Sequence, residues 1–234
     1  MTPLVLLPGM MCDARLFSPQ IGALSGRYPI LVAPIGAHDT MQALAAEVLK
    51  HAPDRFALAG LSMGGIVAME MLRQAPGRVA GMALMDTNPL AEADQVKARR
   101  EPQIEAVKNG RLRDVMAEEM KPNYLTDGPD RQAILDLCMD MAMALGPEIF
   151  VNQSKALRDR PDQSHTLRAF KGAALVLCGR HDALCPVERH ELMHDLLPRS
   201  RLEVIEHAGH LPTLEQPRQT TAALLRWLET IEAI

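Results

Sequence analysis

Ser62 stands in Gly60-Leu61-Ser62-Met63-Gly64, with a glycine two places away on each side. An apolar run from Phe56 to Leu61 precedes it and reads as strand. The run from Gly65 to Ala75 follows and reads as helix. A serine on such a strand-to-helix turn is pushed out above the sheet on strained backbone, so its neighbours two places away must be small. The helix behind it aims its first N–H groups at the site, where negative charge is favoured. A serine hydroxyl is a weak nucleophile at neutral pH; it needs a base, and the base needs an orienting acid. Two later loops offer these. Asp182 lies in "GRHDALCP" (179–186) and His210 in "HAGHLPTLEQP" (207–217), each after an apolar run. The chain order Ser62, Asp182, His210 is the order expected for this type of turn. Taken alone, the Gly-x-Ser-x-Gly pattern also fits a plain turn with a helix-capping serine.

Other residues compete for roles. Asp86, in "LMDTNP", ends the strand-like run before the long helical stretch and puts another carboxyl at a strand end. Its plainer reading is a turn or cap residue before Pro89. "HELMH" (190–194) matches H-E-x-x-H, which can hold zinc between two helical histidines with Glu191 as base. The extended form would need Gly at 197 and His at 200, where this chain has Leu197 and Ser200. Pro198 ends that helix at once, so the polar face of a surface helix is the preferred reading and no metal is expected. His181 and His207 read as loop residues near the site. Asp13 and Arg15 could contact substrate or simply pair. Met116, Met120, Met139, Met141 and Met143 read as helix core, with an adaptable apolar pocket wall as the functional alternative. Cys12, Cys138, Cys178 and Cys185 match no zinc spacing and read as buried free thiols.

These residues need elements to hold them. Strand-like runs at 3–7, 29–35, 56–61, 79–86, 174–179 and 201–207 alternate with helical ones at 41–51, 65–75, 186–197 and 219–231. Continuous apolar strands alternating with helices indicate a parallel sheet covered on both faces. The expectation is an α/β, doubly wound, mostly parallel six-stranded sheet. Residues 88–168 contain no strand pattern and read as helices near 91–108, 111–121, 129–145 and 147–158. This helical stretch would form a lid inserted in the sheet domain, dividing the chain into 1–87, 88–168 and 169–234. With 234 residues, 47% hydrophobic, the chain is long enough for one full core. A net charge of −4 gives no basic field for nucleic acid or anionic lipid. No apolar run is long enough to span a membrane, and the start lacks the basic region of a signal peptide. A cytoplasmic protein is therefore expected; the oligomeric state is not readable.

"LLPG", "AGLSMGG", "GRHDALCP" and "HAGHLPTLEQP" together resemble the α/β-hydrolase superfamily, along essentially the whole chain. They look most like its small lid-bearing branch of esterases, C–C hydrolases and cofactor-free haloperoxidase-like enzymes. The last stretch matches the family habit of Gly-His followed by Glu-x-Pro, here Glu215 and Pro217. The resemblance implies a sheet without the first hairpin and a catalytic triad of Ser62, Asp182 and His210, with Asp182 preferred to Asp86. It also implies an oxyanion hole made by the backbone N–H of Met63 and of Met10, with Met11 as the second choice. The expected activity is hydrolysis of a small, apolar acyl ester through an acyl-enzyme, without a cofactor. C–C hydrolysis and perhydrolysis could run on the same triad. A ligand-binding module with slow turnover is the alternative of another class.

Overall fold

The computed structural model describes residues 1–233, so the last residue of the expected third segment lies outside the described part. In chain order, β1 (Leu4–Leu7) leads through a 3-10 turn (Ala14–Phe17) and α1 (Ser18–Leu24) to β2 (Ile30–Val32). Helix α2 (Met41–His51) crosses to β3 (Phe56–Leu61), and α3 (Met63–Gln74) crosses to β4 (Val79–Met85). Between β4 and β5 (Ala173–Gly179) come α4 (Asp94–Lys108), α5 (Leu112–Val115), α6 (Arg131–Arg158) and α7 (Ser164–Ala169). Then α8 (Val187–Leu196) leads to β6 (Ser200–Ile205), followed by α9 (Pro212–Glu215) and α10 (Pro217–Glu232).

The six strands form one parallel sheet in the order β2-β1-β3-β4-β5-β6. Parallel neighbours cannot be joined by a tight turn, which is why a crossover separates each pair in sequence. The central strands β1, β3 and β5 are buried at every position. The edge strands β2 and β6 are mostly half-buried. Alternate side chains feed two cores, as the two-residue period of a strand demands. Val5, Leu7, Leu58, Met82, Leu84 and Val176 pack with α2, α3 and α8. Leu4, Leu6, Ala57, Ala59, Met85 and Leu175 pack against α1 and α10 through Leu24, Trp227 and Leu228. Trp227 Nε1–H donates to the Ala173 carbonyl at 3.2 Å, so the indole is buried without an orphaned donor.

The helical readings hold with local differences. Thr40 caps α2 by accepting from the Ala43 N–H at 3.2 Å. The helix expected over 111–121 is regular only to Val115; Met116–Met120 is a π turn and Lys121–Asn123 a 3-10 turn. Pro122 lies in that last turn and has no N–H to carry a helix forward. The helices expected at 129–145 and 147–158 are two limbs of α6, broken at Gly146 (φ 84°, ψ 176°) just before Pro147. Helices α1, α7 and α9, of 7, 6 and 4 residues, were not foreseen. They are too short to show a 3.6-residue period.

Candidate active site

The end of β3 runs straight into Ser62, whose φ of 55° and ψ of −117° lie in a region that costs a non-glycine residue strain energy. The surroundings hold it there. Ser62 N–H donates to the Met85 carbonyl at 2.9 Å, and its own carbonyl accepts from Gly65 N–H at 2.9 Å and Thr87 Oγ1–H at 2.7 Å. A side chain at Gly60 would run into the Gly64 carbonyl, and one at Gly64 into the Leu7 carbonyl. Those two positions are glycine because the turn closes backbone on backbone. Ser62 itself stays half-buried, so its hydroxyl is reachable.

His210 follows β6, and its Nε2 lies 2.9 Å from Ser62 Oγ. Its Nδ1 lies 2.8 Å from Asp182 Oδ2. A carboxylate only accepts, so the proton sits on Nδ1 and the serine hydroxyl donates to Nε2. Asp182 follows β5, and its Oδ1 accepts from the N–H groups of Leu184 (2.8 Å) and Cys185 (3.0 Å). Burial works to raise the Asp182 pKa. The His210 charge and hydrogen bond, with the Cys185 and Leu184 amides, outweigh it and hold the carboxyl below the usual range. The histidine loop is tied down by Glu215, which accepts from Gly209 N–H (2.9 Å) and Leu211 N–H (3.1 Å) through Oε2. Its Oε1 accepts from Thr126 N–H at 2.9 Å, in the segment between β4 and β5. That segment also accepts the His210 N–H at the Tyr124 carbonyl, 2.7 Å away.

The loop after β1 and the turn after β3 face each other where the strand order reverses direction, the place where open parallel sheets take ligands. Among the described residues, neither Met10 N–H nor Met63 N–H has an acceptor, although both residues are buried. Met11 is different. Its N–H donates to Gln153 Oε1 at 2.9 Å, its φ is 55°, and Gln153 Nε2–H reaches the Ile35 carbonyl at 2.9 Å. Of the two loop donors weighed from sequence, the second choice is therefore already in use.

Asp86 is neither a cap for Pro89 nor in contact with His210. It is fully buried at φ 44° and accepts from Gly179 N–H at 2.8 Å through Oδ1. The helix bearing His190 and His194 is not a plain surface helix, because the His190 face is buried against the sheet. His190 Nε2 accepts from Thr87 N–H at 3.1 Å, and His194 Nδ1 lies 2.7 Å from Ser200 Oγ. The two imidazoles thus serve separate contacts. Burial pushes His190 down to about 4, so it is neutral. Asp182, Cys185 and His210 bring potential metal-binding atoms within 4.8 Å of one another. Burial, then Asp182 and Asp86, push the Cys185 thiol well up, so it keeps its proton. Asp13 pairs with Arg15 at 2.6 Å. Met116, Met139 and Met141 are buried, whereas Met143 is 40% exposed. All four cysteines are free, and Cys185 is only half-buried. His181 and His207 are exposed loop residues. Gln153, Thr87 and His190 had no signal in the sequence as supports of this site.

Residues 4–224 match the family model described as the alpha/beta hydrolase family. A thermophilic esterase from Thermogutta terrifontis superposes with a TM-score of 0.91 at 30% identity, covering 99% of this chain and 90% of that one. An enol-lactonase from Burkholderia xenovorans shares the fold, with a TM-score of 0.85 at 20% identity over 98% and 92% of the two chains. A pimeloyl-[acyl-carrier protein] methyl ester esterase of Nitrosomonas europaea is 24% identical over 233 residues, or 92% of this chain and 91% of that protein. No helix among the described residues is long and apolar enough to cross a membrane.

Proposed function

The chain belongs to the alpha/beta hydrolase family, and on that premise we propose that it is a serine-dependent carboxylic ester hydrolase for small, apolar acyl esters. The observation that carries this is the unbroken line of hydrogen bonds from Ser62 Oγ through His210 to Asp182. Esterases recur among its relatives, including one for a methyl ester of an acyl chain, which favours an ester over an amide as substrate.

In the first step Ser62 Oγ attacks the carbonyl carbon while His210 Nε2 takes its proton. Asp182 holds the imidazole in the tautomer that can accept and offsets the charge it gains. The Met10 and Met63 N–H groups receive the oxyanion; each such donor is worth roughly 3 kcal/mol of transition-state stabilisation. His210 then hands its proton to the leaving alkoxide. Water repeats the sequence on the acyl-enzyme, and Ser62 is restored. Every proton moves between these groups and water, so the cycle calls for no cofactor.

Residues 88–168 act as the lid in this reading. The support is that they hold the histidine loop through Tyr124 and Thr126 and the oxyanion loop through Gln153. The test is intact mass after a fluorophosphonate, on wild type and on Ser62→Ala, with p-nitrophenyl esters of rising chain length. One adduct that requires Ser62, together with ester turnover, is the expected result. Well-folded protein that takes no adduct would overturn the proposal.

A further inference from the structure

Behind the triad, Asp86 and Asp182 meet at one turn: Gly179 donates its N–H to the Asp86 carboxyl and accepts the Asp182 N–H at 3.3 Å, which sets the two carboxyls beside each other. Asp86 has no exposed surface. Its Oδ1 accepts from Gly179 N–H at 2.8 Å, whereas its Oδ2 is buried with no partner. Its backbone sits at φ 44°, on the strained side for a non-glycine residue, so the side chain is held in this spot at some cost. Two facing carboxylates are two acceptors with nothing between them. Such an arrangement repels when both are charged and becomes a hydrogen bond when one keeps its proton.

We propose that Asp86 is a neutral carboxylic acid whose Oδ2–H donates to the Asp182 carboxylate, making it a positioning residue for the catalytic acid. The surrounding groups assign the proton to Asp86. Asp182 already accepts from His210, Leu184 and Cys185, all of which favour its anion. Asp86 accepts from one amide only. Burial first, and then the Asp182 charge, drive it well above the ordinary carboxyl range. The other titratable groups facing it are Cys178 at the end of β5, Cys185 beside Asp182, Glu215 of α9 and, through Thr87, His190 of α8. None of these is a cation that could neutralise an ionised Asp86.

The neutral donor would spread the charge of Asp182 without competing for the His210 proton, and it would fix the carboxylate with Oδ2 toward His210. The proposal rests on Asp182 being the working acid. Part of its test does not.

Three readouts decide it. In infrared spectra at neutral pH, wild type should show a protonated-carboxyl C=O band that Asp86→Asn removes. Its absence from wild type would overturn the proposal. The second readout is folding stability. An acid whose folded-state pKa is raised costs stability once pH exceeds its unfolded value, because only the unfolded chain releases the proton. Asp86→Asn should therefore be more stable than wild type at neutral pH, and the gap should close as pH falls toward the ordinary aspartate range. A gap of the opposite sign would overturn the proposal. Both readouts stand even if Ser62→Ala shows that the triad reading has failed. The third is kinetic. Asn keeps an N–H donor for Asp182 and an acceptor for Gly179, so it should hold kcat/KM within a few-fold of wild type. Asp86→Ala, which keeps neither group, should lose more than tenfold. Equal loss in Asn and Ala would overturn the donor role.

Discussion

The Met11 amide donates to the side chain of Gln153 at 2.9 Å, across 142 residues of sequence. This joins the loop beside Ser62 to the second limb of α6. Gln153 also donates to the Ile35 carbonyl at 2.9 Å, so one buried amide side chain fixes two loops. Leaving either backbone group unpaired costs about 1–3 kcal/mol. Gln153→Leu should lower the melting temperature and reduce kcat by an order of magnitude or more, with a smaller change in KM. Gln153→Glu keeps the acceptor for Met11 and loses the donor to Ile35, so it should fall between the two. A Leu variant with wild-type kcat would show that the loop needs no clamp.

Asp182 and His210 meet at 2.8 Å in a nearly solvent-free setting. Asp182→Asn can present an N–H where Nδ1–H needs an acceptor, which turns the imidazole to the wrong tautomer. Turnover of a p-nitrophenyl ester should fall by about 10⁴-fold, with the fold intact by circular dichroism. A loss of only a few-fold would move the acid role elsewhere.

Glu215 ties the histidine loop to the segment at Thr126 with one carboxylate. It accepts from the N–H groups of Gly209, Leu211 and Thr126 at 2.9, 3.1 and 2.9 Å. Hydrogen bonds to a charged acceptor contribute about 1.5–3 kcal/mol each. Glu215→Ala should therefore cost several degrees of melting temperature and also lower kcat, because the backbone that aims His210 is freed. Hydrogen exchange at Gly209 and Leu211 should accelerate in the variant. Unchanged exchange there would rule out the anchoring role.

His190 couples folding to pH. Burial lowers its pKa in the folded state to about 4 from the ordinary histidine value of 6.5. Between those values the unfolded chain binds a proton that the folded chain does not, so stability should fall as pH drops from 6.5 toward 4. The full effect is about 3 kcal/mol. Denaturant melts across that range should show the loss in wild type, and His190→Gln should lack this component. Equal slopes in the two proteins would mean that His190 is not held neutral.

The strands were legible because a fully covered parallel strand leaves an unbroken apolar run, as in Leu4–Leu7 and Phe56–Leu61. The break in α6 was legible as Gly146-Pro147, since backbone chemistry acts locally. Ser62, Asp182 and His210 stood out for a similar reason. Each sits in a short loop whose local pattern is demanding, and the glycines around Ser62 answer a steric need a few residues away.

Contacts between distant parts of the chain left no such trace. Nothing near Gln153 in sequence points to Met11, and nothing in "HELMH" tells that His190 turns inward to Thr87 while His194 turns to Ser200. Asp86 read as a turn residue until β4 and β5 were side by side, which buries it against Gly179 and Asp182. Local propensity and spacing are carried by neighbouring residues, so the residue order decided where Ser62, Asp182 and His210 stand. Burial, desolvation and hydrogen bonding depend on which segments meet in space. Only the folded chain decided which amide near Ser62 stays free and which histidine stays neutral.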